Sequence, residues 1–171
     1  MDKAAASYLF FKEDVRDWIY KNFDEKSFIL DVGAGNGMYK DFLGDKYVNV
    51  DAVEIYYPNI IDYKLLEKYR SVANRDIVGY EYKFYDLIIF GDVIEHLTVE
   101  DAQRVINYAY YRCKNMIVAV PYKYHQEANE NKWEEHKQDD LTHEIFMWRY
   151  PGFEPLFKDE LYGYYVKKGK A

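Results

Sequence analysis

Short, mostly apolar runs alternate along this chain with stretches whose apolar positions recur every three or four residues. The runs are Phe28-Ile29-Leu30-Asp31-Val32, Tyr47 to Glu54, Asp86-Leu87-Ile88-Ile89-Phe90 and Asn115 to Val120, with a brief one at Ser71 to Arg75. Runs of this kind that stop at glycine or proline, as here at Gly33, Gly91 and Pro121, read as strands buried on both faces of a parallel sheet. Between them, residues 4–22 place Val15, Trp18, Ile19 and Asn22 on one helical face, and a short helix is predicted over 36–43. Pro58 suits the first turn of a third helix carrying Ile60, Ile61, Leu65 and Leu66. Thr98 and Asp101 form a capping pair before a helix with apolar residues at 102, 105, 106 and 109. A last helix at about 140–148 and strands near 153–157 and 161–167 close the pattern. Strand–helix alternation of this kind predicts α/β architecture with helices on both sheet faces. The polar segment 122–140 breaks the rhythm, and its length predicts a substrate-side loop or lid.

Composition narrows the class. The 171 residues suit one domain over 1–171, and 49% hydrophobic beside 31% charged residues is a globular balance. The 20 tyrosines read first as core and rim packing, rings inward and hydroxyls paired or wet. A net charge of −7 without clustered Lys or Arg disfavours a nucleic-acid partner. One cysteine, Cys113, allows no intramolecular disulfide and suits a reducing, cytoplasmic setting. Residues 1–14 carry no signal-peptide pattern and no membrane span is expected.

The strongest local signal is Asp31-Val32-Gly33-Ala34-Gly35-Asn36-Gly37, set between a strand and a helix. Glycines there let the backbone turn sharply and approach a ligand closely. A dinucleotide fingerprint needs its third glycine where this chain has Met38; the pattern is instead Gly-x-Gly-x-Gly, ending at Gly37. Two acids on the next strand, Asp51 and Glu54, are candidates to bind ribose hydroxyls. Glu54 is favoured, because ligands sit outside the carboxyl ends of the strands.

With these elements in this order, nearly the whole chain resembles the class I S-adenosylmethionine-dependent methyltransferases. The resemblance rests on the loop 31–37, Glu54, Asp76-Ile77, the run Tyr85 to Leu97 containing Gly91-Asp92-Val93-Ile94-Glu95-His96, and Val118-Ala119-Val120-Pro121. It implies a single Rossmann-like doubly wound domain, with a mostly parallel seven-stranded sheet and an antiparallel C-terminal strand. It also implies S-adenosyl-L-methionine as cofactor, leaving S-adenosyl-L-homocysteine as product. By that resemblance Asp31, Gly33, Ala34, Gly35, Asn36, Gly37 and Gly91 line the cofactor, Glu54 binds ribose, and Asp76 and Ile77 contact adenine. Asp76 reads equally as a helix cap, and Asp31 as a structural acceptor for loop amides.

Methyl transfer from a sulfonium is an in-line displacement, so the protein must align the acceptor and remove its proton. Asp92, Glu95 and His96 leave the fourth long strand on the reacting side and offer a general base or divalent-metal ligands. The Glu-His element is similar to that of small-molecule O-methyltransferases of the ubiquinone-biosynthesis type, some of which use a metal. It reads as well as a structural helix-start pair. His136, within Asn131 to His143, is a second base candidate, and Trp133 can cover an acceptor; a solvated loop with Asp140 capping the final helix is the plain alternative. His125, His136 and His143 match no familiar metal spacing, so no metal ligand is assigned and a divalent metal is not expected. Gly-Asp-Val-Ile stands where DNA amino-methyltransferases carry an Asn/Asp-Pro-Pro-Tyr/Phe motif, so base methylation is disfavoured. The expected activity is methyl transfer to a small-molecule or sugar acceptor, at oxygen rather than nitrogen. The alternatives are a nicotinamide-dependent oxidoreductase and a non-catalytic cofactor-binding module.

Overall fold

A computed structural model describes residues 11–128 and 130–171. Seven strands form one sheet: β1 (Ile29–Val32), β2 (Val50–Val53), β3 (Ser71–Ala73), β4 (Tyr85–Gly91), β5 (Cys113–Pro121), β6 (Glu154–Lys158) and β7 (Tyr162–Lys168). Their spatial order is β3-β2-β1-β4-β5-β7-β6. Strands β1 to β5 pair parallel, while β7 runs antiparallel to both β5 and β6. This is the α/β sheet that the pattern predicts, doubly wound and with the antiparallel C-terminal strand that the resemblance implies. The chain order reverses between β1 and β4, and in open α/β sheets that switch point is where ligands lie.

Alternation along β4 shows why the runs are apolar throughout. Ile88 and Phe90 join Leu30, Val32, Val118 and Val120 in a core shared with α5 (Val99–Tyr110) and α6 (His143–Arg149). Leu87 and Ile89 join Ile29, Ile117 and Ala119 on the opposite face, under α1 (Lys12–Asn22) and α2 (Met38–Leu43). Burying each such aliphatic side chain stabilises by about 1.5–3 kcal/mol. The tyrosines take part: Tyr47, Tyr162, Tyr164 and Tyr165 are fully buried, and the Tyr47 hydroxyl donates to the Phe23 carbonyl at 2.8 Å.

Several boundaries differ from the sequence pattern. The stretch of the N-terminal helix before residue 11 lies outside the described residues. Strand β2 starts at Val50, because Tyr47 turns inward ahead of it and Val48 is exposed. The expected third helix is two, α3 (Tyr57–Asp62) and α4 (Leu65–Lys68), separated by Lys64 in the left-handed region at φ 53°. Pro58 does sit in the first turn of α3. Helix α5 is capped as expected, with the Thr98 hydroxyl accepting from the Asp101 amide. Helix α6 is capped by Thr142 rather than Asp140, whose carboxylate pairs with Arg149. No helix among the described residues is long and apolar enough to cross a membrane.

Asp51 is a structural acid. It is 1% exposed and accepts from Arg70 Nε at 2.9 Å, Ser71 Oγ at 2.8 Å and Tyr85 Oη at 3.0 Å. Burial alone raises its carboxyl, but these hydrogen bonds outweigh burial and hold it below the usual range. Asp51→Asn is expected to destabilise by about 2 kcal/mol at neutral pH. A depressed folded-state pKa contributes stability above the unfolded value and loses it as pH falls through the folded value. The difference between variant and wild type should therefore shrink as pH drops below about 4, which urea melts at pH 7 and pH 3 would check.

Candidate functional site

The loop after β1 turns because its three glycines adopt left-handed backbone: Gly33 at φ 67°, Gly35 at φ 53° and Gly37 at φ 81°. A side chain at Gly33 would also meet the Val93 side chain at 2.5 Å, so this position stays open and close to the β4 exit. Glu54 follows β2 and bends back to the loop. Its carboxylate accepts from the Gly35 amide at 2.8 Å and the Tyr56 amide at 2.7 Å. Asp51, the other ribose candidate, faces away into its Arg70–Ser71–Tyr85 partners. Glu54 is 4% exposed, and burial raises its carboxyl despite the two amide bonds.

At the base of the loop, Asp31 accepts from the Tyr69 hydroxyl through one oxygen, while the other is buried with no protein partner. Burial pushes its carboxyl up to about 7. The acid is therefore not held by loop amides. Asp76 accepts from the Val78 amide at 2.9 Å and caps a short 3-10 turn, Ile77–Gly79, in which Ile77 is buried against the core. The cap role weighed for Asp76 is present here, and it fixes the turn that carries Ile77 just after β3.

Across the switch point, Gly91 ends β4, where a side chain would strike the Tyr39 ring at 2.2 Å. Asp92 follows with φ 56°, a conformation costly for a residue with a side chain and concentrated at functional sites. Its carboxylate accepts from the Tyr162 hydroxyl and lies 3.9 Å from the Lys12 ammonium. Lys12 is itself buried, donating to the Tyr39 hydroxyl at 3.0 Å and lying over the Tyr39 ring. Asp92 is thus tied to α1 and β7. Lys12, Tyr39 and Tyr162 went unflagged in the sequence, where no motif links such distant positions.

The 3-10 turn Ile94–His96 then presents Glu95 and His96. Glu95 is 1% exposed and neither carboxylate oxygen has a protein partner. Desolvation, with Asp92 nearby, raises its carboxyl well above the ordinary value. The 122–140 segment folds over this turn as a packed clamp rather than a free lid. The Lys137 and Gln138 amides donate to the Glu95 carbonyl at 2.8 and 3.1 Å. The Gln138 side chain donates to the Ile94 and Leu97 carbonyls at 2.8 and 3.1 Å.

That clamp brings His136 to His96, with ring centroids 4.6 Å apart and edge to face. Burial lowers both imidazoles from their ordinary value, favouring neutral rings. Of the other histidines, His125 pairs with Asp139 at the surface and His143 stacks on Tyr165. His136 therefore has His96 as its histidine neighbour, a pairing the spacings of the other histidines did not indicate. Trp133 is 40% exposed beside Lys132.

No family model matches the chain, and no curated protein does. Solved structures do. The fold is similar to an S-adenosylmethionine-dependent methyltransferase from Clostridium acetobutylicum ATCC 824, with a TM-score of 0.70, 12% identity, and coverage of 98% of this chain and 94% of that one. It is similar to magnesium protoporphyrin IX methyltransferase from Synechocystis PCC 6803 with bound S-adenosylhomocysteine, at TM-score 0.68, 14% identity, and 96% and 84% coverage. It is also similar to the 1,6-didemethyltoxoflavin-N1-methyltransferase of Burkholderia thailandensis, at TM-score 0.68, 10% identity, and 96% and 80% coverage. The fold of this chain is the Rossmann-like fold of S-adenosylmethionine-dependent methyltransferases. At these identities the likeness is one of fold.

Proposed function

We propose that this protein is an S-adenosylmethionine-dependent methyltransferase acting at an oxygen of a small-molecule or sugar acceptor. The observation that carries the reading is Glu54, fastened by the Gly35 and Tyr56 amides against a left-handed glycine loop at the sheet's switch point. An acceptor-only carboxylate there suits a pair of ribose hydroxyls. The structures of similar fold from Synechocystis and Burkholderia hold S-adenosylhomocysteine.

In this reading Gly33, Ala34, Gly35, Asn36 and Gly37 cradle the cofactor, and Asp76 and Ile77 border its adenine. Asp31, one of whose oxygens has no hydrogen-bond partner, and Asp92, paired with Lys12, would border its charged end. When bound, the cofactor would supply a sulfonium methyl open to in-line attack by an acceptor, with the thioether sulfur as leaving group. Glu95, His96 and His136 lie on the acceptor side, beyond the β4 exit. Neutral imidazoles beside a carboxylate suit taking a hydroxyl proton, which favours oxygen over an amine that needs no such help.

Calorimetric titration with S-adenosylhomocysteine and, in parallel, with NAD tests the cofactor. Micromolar binding of S-adenosylhomocysteine without NAD binding is the expected result. Preference for NAD, or binding of neither, would overturn the proposal.

A further inference from the structure

We infer that Glu95, His96 and His136 form a divalent-cation site. One ligand atom from each lies within 4.8 Å of the other two. Bonds of about 2.1 Å to a shared tetrahedral cation would bring such atoms to roughly 3.4 Å, a contraction that side-chain rotation can supply.

The hydrogen bonds already set the histidines for ligation. His96 Nδ1 lies 3.2 Å from the Glu135 carbonyl and His136 Nδ1 lies 2.8 Å from the Tyr124 carbonyl. A carbonyl only accepts, so both Nδ1 atoms carry the hydrogen. Both Nε2 atoms then carry the lone pair. An imidazole fixed through one nitrogen by a backbone carbonyl is the usual orientation of a metal-bound histidine.

Glu95 supplies the independent sign. A carboxylate 1% exposed with two unpaired oxygens is costly to bury, and a cation between it and the imidazoles removes that cost. Plain aromatic packing of His96 on His136 would account for the rings and leave Glu95 unexplained. Lys12 is the nearby cation, but Tyr39 and Asp92 engage it and it makes no ion pair with Glu95 among the described residues.

Two imidazoles and one carboxylate suit Mn²⁺, Fe²⁺, Co²⁺ or Zn²⁺ rather than the all-oxygen cages of Ca²⁺. Three protein ligands leave positions open to an acceptor. This part rests on the methyltransferase reading and takes over the role of the imidazoles as base, since their Nε2 lone pairs now hold the cation. A hydroxyl bound to the cation loses its proton to solvent, its oxygen bonds the sulfonium methyl, and the C–S electron pair remains on sulfur.

Titration with Co²⁺, followed by visible absorption and calorimetry, tests the site on wild type, Glu95→Gln, His136→Asn and the surface control His125→Ala. S-adenosylhomocysteine binding is measured on the same samples. The expected result is one Co²⁺ per chain, weakened about tenfold or more in Glu95→Gln and His136→Asn and unchanged in His125→Ala. Absence of Co²⁺ binding by wild type, or binding equal in all four proteins, would overturn the site. Circular dichroism identifies a variant that fails to fold, and the other then carries the comparison. S-adenosylhomocysteine binding without Co²⁺ binding removes the cation site alone, whereas the converse removes the methyltransferase reading and leaves the cation site standing.

Discussion

Glu54→Ala should weaken S-adenosylhomocysteine binding by at least tenfold, equivalent to about 1.4 kcal/mol. Hydrogen bonds to charged groups contribute about 1.5–3 kcal/mol, and the carboxylate offers acceptors to two ribose hydroxyls beyond the two amides it already serves. Glu54→Gln is not a silent control. A carboxamide has one acceptor oxygen, so either the Gly35 or the Tyr56 amide would face an N–H₂ donor. The glutamine variant should therefore also bind more weakly, while keeping the side chain's volume. Asp51→Asn is the better comparison, since Asp51 touches Arg70, Ser71 and Tyr85 instead of the loop. It should lose stability and keep its affinity once folded. Affinity that follows Asp51 and ignores Glu54 would move the ribose contact away from the end of β2.

The parts of the fold that were legible in sequence are those set by local physics. Apolar runs stopped by Gly33, Gly91 and Pro121 gave the parallel strands, because a strand covered on both faces has no polar side to show. Glu54 was placed by one geometrical rule, that ligands gather at the carboxyl ends of strands. The break between α3 and α4 was not legible, because Lys64 takes a left-handed backbone that its residue type does not announce. The packing of the 122–140 segment was not legible for a different reason. Its polarity reads as exposure, yet Asn131, His136 and Gln138 are buried, and the partners of His136 and Gln138 include main-chain carbonyls. Polar side chains that satisfy buried backbone look like loop residues in a linear pattern. The same limit hid the meeting of His96 with His136 and of Asp92 with Lys12 and Tyr162, which depends on tertiary packing.

Gln138→Ala is expected to be among the most damaging single changes away from the apolar core. Gln138 is 2% exposed, and its amide group is used at both ends. The nitrogen donates to the Ile94 and Leu97 carbonyls, and the oxygen accepts from the Tyr150 hydroxyl at 2.7 Å and Arg149 at 3.2 Å. Truncation leaves two carbonyls and a buried tyrosine hydroxyl without these partners. Each unsatisfied group costs about 1–3 kcal/mol, so a total near 3 kcal/mol is expected. For a chain of this length that lowers Tm by roughly 6–12 °C. Gln138→Glu tests the direction of the bonds: it retains the acceptors for Tyr150 and Arg149 but has no donor for the two carbonyls, and should melt nearly as low. Gln103→Ala removes one exposed bond, to the Arg149 carbonyl, and should change stability by no more than about 0.5 kcal/mol. The functional consequence follows from what Gln138 holds. The turn it clasps carries Glu95 and His96, so Gln138→Ala should also weaken Co²⁺ binding although it touches no ligand atom. A Gln138→Ala protein that melts with wild type would mean that the 122–140 segment is held by its main-chain bonds alone, and that it can lift from the turn as a lid.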